Sequence, residues 1–449
     1  MDQAAVARWI RNPWVIGVIA GMASYIDSAA IVGSGTALVL YQNALGLTRD
    51  QIGAASAALT LSIAVGALVG GRLGDRFGRR SVFLATMVLI VCGAAVLVFG
   101  GGFITVLMGS VIVGLGTGAD LPVSLATIAE AASGSNRGAL VGFTQIMWFA
   151  GVAASTALSI VVGTSGYLGG QVLWAHVGVV AVGVLVLRLL LPESESWRQA
   201  HAERLAGMRT LRAQRTSIRD IVSQRIYLIP FVSLLGFYSL TNLGANTAGQ
   251  FGTYIAVNVA GLDVRTNSVI GVLSLPVALF FAIWFLRIVD GPRRMRFFTI
   301  GGVLIGVAPI VPAAFGFNLT TIVVQTALGL FGFAFAFEGI MKVWTQEAFP
   351  TLLRASAQGA VIAVARVAAA ALALVTPALL SQPRLMYALV SALMSAGVLI
   401  GWLGFRHYGM NTFDVESEDL TEARRHLREA GILNRADEPR VRTERTPPR

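Results

Sequence analysis

Five ionisable side chains lie within long apolar stretches of this 449-residue chain. They are Asp27, Asp120, Glu338, Lys342 and Arg366. An uncompensated charge inside a bilayer costs roughly 3 kcal/mol or more, so residues of this kind commonly bind protons, ions or substrates. The alternative for each of them is a static buried ion pair that holds two helices together.

Asp27 has the surroundings expected of a proton-binding group. No basic residue lies within one helical turn of it. A carboxylate in a poorly hydrated cavity retains a proton more readily than a carboxylate in water. We therefore expect Asp27 to be the proton-coupling site. Asp120 is the second candidate, because Ser124 and Thr127 continue its helical face, and Glu338 is the third.

Lys342 is the single lysine among 34 basic residues. Because arginine is used everywhere else, a lysine within an apolar stretch indicates a need for a compact ammonium group. We expect Lys342 to bind an anionic group of a substrate, with Arg366 as a second cation. Glu338, one turn earlier, would release Lys342 when substrate arrives or when Glu338 takes up a proton. Two alternatives are a structural Glu338–Lys342 pair and a lysine that extends towards the nearby helix end.

Polar side chains recur every four residues over 238–254. They are Tyr238, Asn242, Asn246, Gln250 and Tyr254. This spacing predicts a slowly turning stripe on one helix. Hydrogen bonding between helices would need only one or two such groups, so the stripe favours a substrate cavity. Gln145 and Trp148, together on one face of another helix, also suit a small polar substrate.

The elements that hold these residues are predicted to be membrane helices. Of all residues, 55% are hydrophobic and 13% charged, and this charged share is roughly half that of a soluble domain. A helix crosses the hydrocarbon core with about 20 apolar residues, and continuous apolar stretches favour helices over the alternating strands of a barrel. The predicted spans are 14–40, 52–71, 81–100, 103–129, 138–162, 170–191, 227–257, 268–287, 297–315, 320–347, 355–380 and 385–405.

The distribution of charge argues against a nucleic-acid partner, although the net charge is +11. Arginines gather in 72–80, 188–225 and 287–296, and the intervening connections carry one or none. This alternation places both termini in the cytoplasm. We expect a multi-pass protein of the plasma or inner membrane without a cleavable signal peptide.

Neither a metal ion nor a cofactor is predicted. The single cysteine, Cys92, lies in a span, and the four histidines are scattered. No nucleophile lies beside a base at one membrane depth, so we do not expect an enzyme. The expected partners are the lipid bilayer, protons and a small molecule, and the expected state is a monomer.

The chain divides into two similar halves. An N-terminal bundle over 1–191 and a C-terminal bundle over 227–406 flank a cytoplasmic central loop, 192–226, and a cytoplasmic tail, 407–449, follows. The halves share an E-x6-R-x4-G pattern, which is Glu130, Arg137 and Gly142 in one and Glu347, Arg354 and Gly359 in the other. The predicted fold is an all-α integral membrane protein with twelve transmembrane helices in two pseudo-symmetric six-helix bundles. A substrate site between such repeats lies near mid-membrane.

Several motifs resemble those of the major facilitator superfamily. The stretch G-R-L-G-D-R-F-G-R-R over 71–80 is similar to its loop 2–3 signature. Pro192-Glu-Ser194 and the stretch 347–354 resemble elements of the sugar porter branch, whereas G-A-D-L-P over 118–122 is closer to metabolite:proton symporters. Ser110 stands where sugar porters usually have an arginine, which disfavours a plain hexose.

The resemblance implies roles for residues near the cytoplasmic face and in the spans. Its gating set, which would hold the halves together when the carrier is open outward, is Asp75, Arg79, Arg80, Glu130, Arg137, Glu193, Asp290, Glu347 and Arg354. The alternative is that the arginines only set orientation. Asp27 matches the span-one acid of proton-linked relatives, Gln145 matches a sugar-binding glutamine, and Lys342 stands where sugar porters place a tryptophan.

The expected function is therefore secondary active transport by alternating access. We expect proton-coupled symport of a small polar metabolite, with an organic acid favoured by Lys342. A polyol or sugar symporter is the first alternative, and a proton-driven exporter of drugs or metabolites is the second.

Overall fold

The structure, a computed structural model, describes residues 12–132, 136–162, 165–205, 225–262, 264–379, 382–406 and Thr412. All regular elements in these ranges are helices. Their bounds are Pro13–Leu45, Arg49–Phe77, Arg79–Phe99, Phe103–Ala131, Arg137–Val162, Gly166–Leu190, Glu195–Leu205, Arg225–Asn258, Val264–Ile288, Arg294–Val307, Ile310–Phe315, Leu319–Phe335, Glu338–Ala348, Arg354–Leu379 and Pro383–Phe405.

These helices form twelve spans that are long and apolar enough to cross a membrane, as predicted. The first six helices are spans one to six, and Glu195–Leu205 is a short helix in the central segment. Span nine combines Arg294–Val307 with Ile310–Phe315, and span ten combines Leu319–Phe335 with Glu338–Ala348. Spans seven, eight, eleven and twelve are single helices.

The predicted end of span two, which carries arginine, was wrong. Span two continues to Phe77, so most of the turn predicted at 72–80 is helical, and the chain reverses at Gly78 with φ of 97°. Span six ends at Leu190, within one residue of its predicted end, and Arg188, which was grouped with the arginines of 188–225, lies in its last turn. Arginine side chains at these ends pair or extend towards the surface, so they do not stop the helix.

Span ten is interrupted at Ala336–Phe337. Both residues leave the helical region, with φ, ψ of −133°, 36° for Ala336 and −138°, −129° for Phe337. The Phe337 ring packs against Tyr238 of span seven, with ring centroids 5.6 Å apart. The second helix of the span therefore begins at Glu338, in the interior of the protein.

Spans one to six form the first bundle and spans seven to twelve the second. The bundles meet through small residues: Gly71 lies against Ala355, and Gly359 lies against Ala67, where a Cβ atom would have no space. Close backbone approach of this kind is how membrane helices commonly associate. Both contacts lie near the end that carries residues 75–80, 193–197, 290–294 and 347–356, which we call the arginine-rich face.

Candidate functional site

An ion pair joins the two bundles within the spans. Nη2 of Arg366, on span eleven, lies 3.5 Å from Oδ2 of Asp27, on span one. Arg366 lies twelve residues into its helix, which corresponds to a depth of about 18 Å from the arginine-rich face. Asp27 is almost fully buried, and its Oδ1 has no hydrogen-bond partner among the described residues. No basic residue lies within one helical turn of Asp27 in the sequence, and the structure supplies its counter-charge from the opposite bundle.

A second ion pair lies on span ten. Nζ of Lys342 is 2.8 Å from Oε1 of Glu338, and the Lys342 side chain has no solvent exposure. The ammonium therefore does not extend to the helix end, and it forms no regular hydrogen bond to a described residue. Glu338 lies in the first turn after the break in span ten, where the helix dipole stabilises a carboxylate.

The two ion pairs belong to one cluster of four charges, which we call the central cluster. Arg366 and the hydroxyl of Tyr238 both lie close to the Glu338 carboxylate. The central cluster therefore contains two carboxylates and two cations, and its formal charge is zero. All four side chains lie in the interface between the bundles.

Polar groups predicted to bind substrate lie on both sides of the interface. Asn246 donates its amide to the backbone oxygen of Asn242 at 3.1 Å and also to its side-chain oxygen, so these two stripe residues partly satisfy each other. Oε1 of Gln145 is buried and accepts no hydrogen bond from the part of the chain that the structure describes. Trp148 is half-buried one turn further along span five, and Ser28 of span one donates to its backbone oxygen at 2.8 Å. The side chain of Gln250 lies outside the described residues.

Asp120 belongs to a different cluster, inside the first bundle. Both of its carboxylate oxygens accept hydrogen bonds from Arg188, and Thr86 donates to it at 2.9 Å. Arg188 is fully buried and also donates to Ser124 at 3.1 Å, while its guanidinium lies over the Phe83 ring at 4.3 Å.

This environment changes the interpretation of Asp120. Asp120 forms a buried ion pair with Arg188. A static pair of this kind was the alternative to proton coupling in the sequence analysis. Thr127, the other residue of the predicted polar track, donates to the backbone of its own helix. Sequence reasoning missed Arg188 because it was counted with the arginines of 188–225, although the predicted span 170–191 contains it. The signal was present, since no polar break separates Arg188 from the apolar residues before it.

The arginine-rich face is closed by two groups of contacts. In the first, which we call the first latch, Arg79 bonds to Asp75 at 2.6 Å and to Glu130 at 2.8 Å. Arg79 also donates to the backbone oxygen of Thr351 at 2.8 Å, and the Ser356 amide donates to Asp75 at 2.7 Å. Both of these last contacts cross between the bundles.

The central segment covers the first latch. Glu193 accepts from the backbone amides of Arg79 at 2.9 Å and Arg80 at 3.2 Å. The indole of Trp197 donates to the backbone oxygen of Asp75 at 2.9 Å. The Arg80 guanidinium donates to the oxygen of Leu189 at 3.0 Å, which ties the end of span six to the same region.

The second latch is the corresponding group around Asp290, Arg294 and Glu347. Asp290 accepts from the amides of Gly138 at 2.6 Å and Ala139 at 2.8 Å, at the start of span five in the opposite bundle. Arg294 donates to both oxygens of Glu347, at 2.8 and 2.9 Å. The surrounding protein displaces water from the Asp290 carboxyl and so raises its pKa above the usual value, although the two amides oppose this shift.

The remaining two residues of the predicted gating set hold the ends of spans. Arg137 donates to the oxygen of Ala129 at 3.2 Å. Arg354 makes the equivalent bond to the oxygen of Gln346 at 3.2 Å and adds one to Phe349 at 2.9 Å. Each arginine therefore closes the turn that precedes its own helix.

Twelve membrane spans in two bundles, with buried charges at their interface, are typical of a secondary transporter. The sequence matches the Major Facilitator Superfamily over residues 14–374. The chain belongs to this family of membrane transporters, and it is therefore not an enzyme.

Individual relatives include transporters of sugars, polyols and aromatic acids. The chain is 31% identical over 424 residues to the "Minor myo-inositol transporter IolF" of Bacillus subtilis (strain 168), which covers 90% of this chain and 92% of that protein. It is 23% identical over 381 residues to the "Arabinose-proton symporter" of the same organism, and this match covers 76% of this chain and 79% of that protein. The solved structure of the proton:xylose symporter XylE bound to 6-bromo-6-deoxy-D-glucose superimposes with a TM-score of 0.74 at 16% identity, over 88% of this chain and 96% of that one.

Proposed function

We propose that this protein couples the inward movement of protons to uptake of a small neutral polyol. The observation that carries the proposal is the zero net charge of the central cluster, in which each cation already has a carboxylate partner. A neutral solute with several hydroxyl groups needs hydrogen-bonding partners and no net charge from the protein. The similarity to an inositol transporter over 90% of the chain supports the same substrate class.

The polar groups around the central cluster fit a ring that carries hydroxyls. Gln145 offers an unused amide oxygen, and Asn242 and Asn246 offer amides nearer the opposite face. Trp148 supplies an aromatic surface at about the depth of the ion pairs. Substrate hydroxyls that bond to these groups would compete with the Asn242–Asn246 contact.

Asp27 is the proton-coupling residue in this proposal. Its bond to Arg366 is an ion pair that crosses between the bundles. A proton on Asp27 removes the attraction between its carboxylate and Arg366, so the interface loses one electrostatic link. Because the latches close the arginine-rich face, Asp27 is loaded from the opposite face. We place the arginine-rich face and both termini in the cytoplasm, which makes this movement inward.

The test is Asp27→Asn in proteoliposomes with an imposed proton gradient. We expect uphill accumulation of myo-inositol or another bound polyol to be lost, while exchange of labelled for unlabelled substrate continues, because Asn retains the shape and a hydrogen-bonding group. Glu195→Gln is the matched control, since that carboxylate is exposed on the short helix of the central segment. Uphill uptake by Asp27→Asn at the rate of the parent would refute this assignment.

An organic acid is the second candidate, and the Lys342 ammonium is the observation that favours it, because it has unused donors. A panel of polyols, sugars, carboxylates and aromatic acids, read as ligand-induced thermal shifts, separates the two. The substrate is an organic acid if two results are obtained together. An acid binds the parent protein and Lys342→Gln weakens its binding at least tenfold, about 1.4 kcal/mol, and no polyol raises the unfolding temperature of the parent protein. Stabilisation by polyols alone would exclude the acid.

A further inference from the structure

A groove runs along the outer surface of the second bundle, between spans nine and twelve. Its volume is about 340 Å³. The floor is formed by Gly302, Gly306 and Ser395, and Gly306 and Ser395 pack so closely that a Cβ atom at Gly306 would meet the Ser395 hydroxyl. Because the floor residues are small, no side chain from them fills the groove above the contact between the two helices. This groove is separate from the interface that holds the central cluster.

The walls of the groove face the surroundings of the bundle. Val303 is 59% exposed and Leu399 is 55% exposed. On a membrane span, side chains with this exposure and chemistry contact lipid acyl chains. An elongated apolar groove with small residues at its floor therefore has the shape and chemistry to hold one acyl chain more closely than the flat surfaces beside it.

Each helix that forms the groove continues into an exposed arginine at the arginine-rich face. Arg296 precedes the groove residue Thr299 by three positions and so lies on the same helical face. Arg406 follows the groove residue Trp402 by four positions, and its guanidinium lies over the Trp402 ring at 4.4 Å. Tryptophan is enriched where membrane spans reach the headgroup region.

These two arginines differ from those of the latches in their partners. Arg79 and Arg294 are paired with carboxylates. Within the part of the chain that the structure describes, neither Arg296 nor Arg406 has a carboxylate partner. Two exposed guanidinium groups at the mouth of one apolar groove complement a single phosphate group, which guanidinium binds in a bidentate manner.

We propose that this groove binds one anionic phospholipid from the leaflet at the arginine-rich face. One acyl chain lies in the groove against Gly302, Gly306 and Ser395. The phosphate lies between Arg296 and Arg406, and Trp402 contacts the region where the chain joins the headgroup. Basic pockets between membrane helices recognise anionic headgroups in this way. The bound lipid would hold spans nine and twelve together on the side away from the substrate.

The test uses the purified full chain, stripped of native lipid in detergent. Phosphatidylglycerol, phosphatidylcholine and inorganic phosphate are titrated separately, and bound lipid is counted by native mass spectrometry alongside the thermal unfolding midpoint. We expect one phosphatidylglycerol to bind at least fivefold more tightly than phosphatidylcholine. The double variant Arg296→Gln, Arg406→Gln should lose that preference, and Val303→Trp should weaken both lipids by filling the groove.

Arg76→Gln is the matched control, because Arg76 also lies over an exposed aromatic ring, Phe77, at 5.2 Å, yet it is in the last turn of span two, in the first bundle. It should bind phosphatidylglycerol as the parent does. The proposal is overturned if the double variant retains the parent's preference for phosphatidylglycerol. It is also overturned if Val303→Trp binds lipid normally, or if inorganic phosphate alone reproduces the stabilisation.

Discussion

The two latches are built from the same sequence pattern and differ in burial. Asp75 and Arg79 in the first correspond to Asp290 and Arg294 in the second, each pair four residues apart. The Arg79 and Asp75 side chains are each 1% exposed. In the second latch, the Arg294 side chain is 28% exposed, and the edge of Asp290 also reaches solvent.

The shared feature is a contact across the bundles. Asp75 accepts from the amide of Ser356, near the start of span eleven, and Asp290 accepts from the amides of Gly138 and Ala139, at the start of span five. Each aspartate thus neutralises unsatisfied donors at the start of a helix in the opposite bundle. The repeated sequence pattern therefore gives each bundle an aspartate that contacts the other bundle.

The difference comes from what covers each latch. Glu193 and Trp197 of the central segment lie on the first latch. At the second, the Thr412 hydroxyl donates to the backbone oxygens of Glu347 and Phe349, at 2.9 and 3.0 Å, and Arg294 stays partly exposed. Because an ion pair gains strength as water is excluded, we infer that the first latch contributes more to closure than the second.

The largest expected effect tests this inference with matched substitutions of the two arginines. Arg79→Gln leaves Asp75 and Glu130 buried without a cation, which costs about 3 kcal/mol, so we expect a shift of about a hundredfold towards the state open at the arginine-rich face. Arg294→Gln breaks a partly exposed pair, to which we assign up to about 1 kcal/mol, and should shift the population by less than about fivefold. The reporter is the labelling rate of Ser356→Cys in a Cys92→Ser background, because the native cysteine is exposed. Equal shifts for both variants would contradict the comparison.

A smaller effect is expected from Asp75→Asn. The amide oxygen can still accept from Ser356, but the charged bond to Arg79 at 2.6 Å is lost. We expect a shift of about tenfold, because a hydrogen bond between charged groups contributes about 1.5 kcal/mol or more. The same labelling assay measures it, with Glu195→Gln as the control. If Asp75→Asn is labelled at the parent's rate, Asp75 and Arg79 do not act in gating, and the arginine only sets the orientation in the membrane.

The twelve spans and the latch residues could be predicted from sequence because they depend on local patterns. Apolar length defines a span, and the repeated Asp–Arg spacing of Asp75 and Asp290 marks both latches. The partner of Asp27 could not be predicted, because Arg366 is brought near it only by the packing of spans one and eleven. Arg188 was missed for a related reason, since the sequence does not show that an arginine at a helix end turns inward to a carboxylate.

The break in span ten was also beyond sequence reasoning. Ala336 and Phe337 carry no proline or glycine signal, yet both are non-helical where Phe337 packs against Tyr238. A tertiary contact overrides the local preference there. The prediction that Glu338 and Lys342 share one helical face remained correct, because both lie after the break.

The smallest expected effect is a pH dependence of the second latch alone. In the closed state the pKa of Asp290 is raised, chiefly because the surrounding protein displaces water from it. When the latch opens, the carboxyl returns to water and to an ordinary pKa of about 3.9. The closed state therefore binds the Asp290 proton more tightly than the open state does. Protonation stabilises the closed state fully below the ordinary pKa, and this stabilisation is lost as pH rises through the raised pKa of the closed state.

The charged neighbours of Asp290 are Arg294 and Arg137, which lower its pKa, and Glu347, whose charge interacts unfavourably with it. Acidification through this window should slow labelling of Ser356→Cys by a few fold. Asp290→Asn should remove this dependence and leave labelling near the low-pH value of the parent, since the amide oxygen still accepts from Gly138. If the labelling rate of Asp290→Asn still depends on pH, another carboxylate causes the dependence. The titration would then not support the difference in solvation that we infer between the two latches.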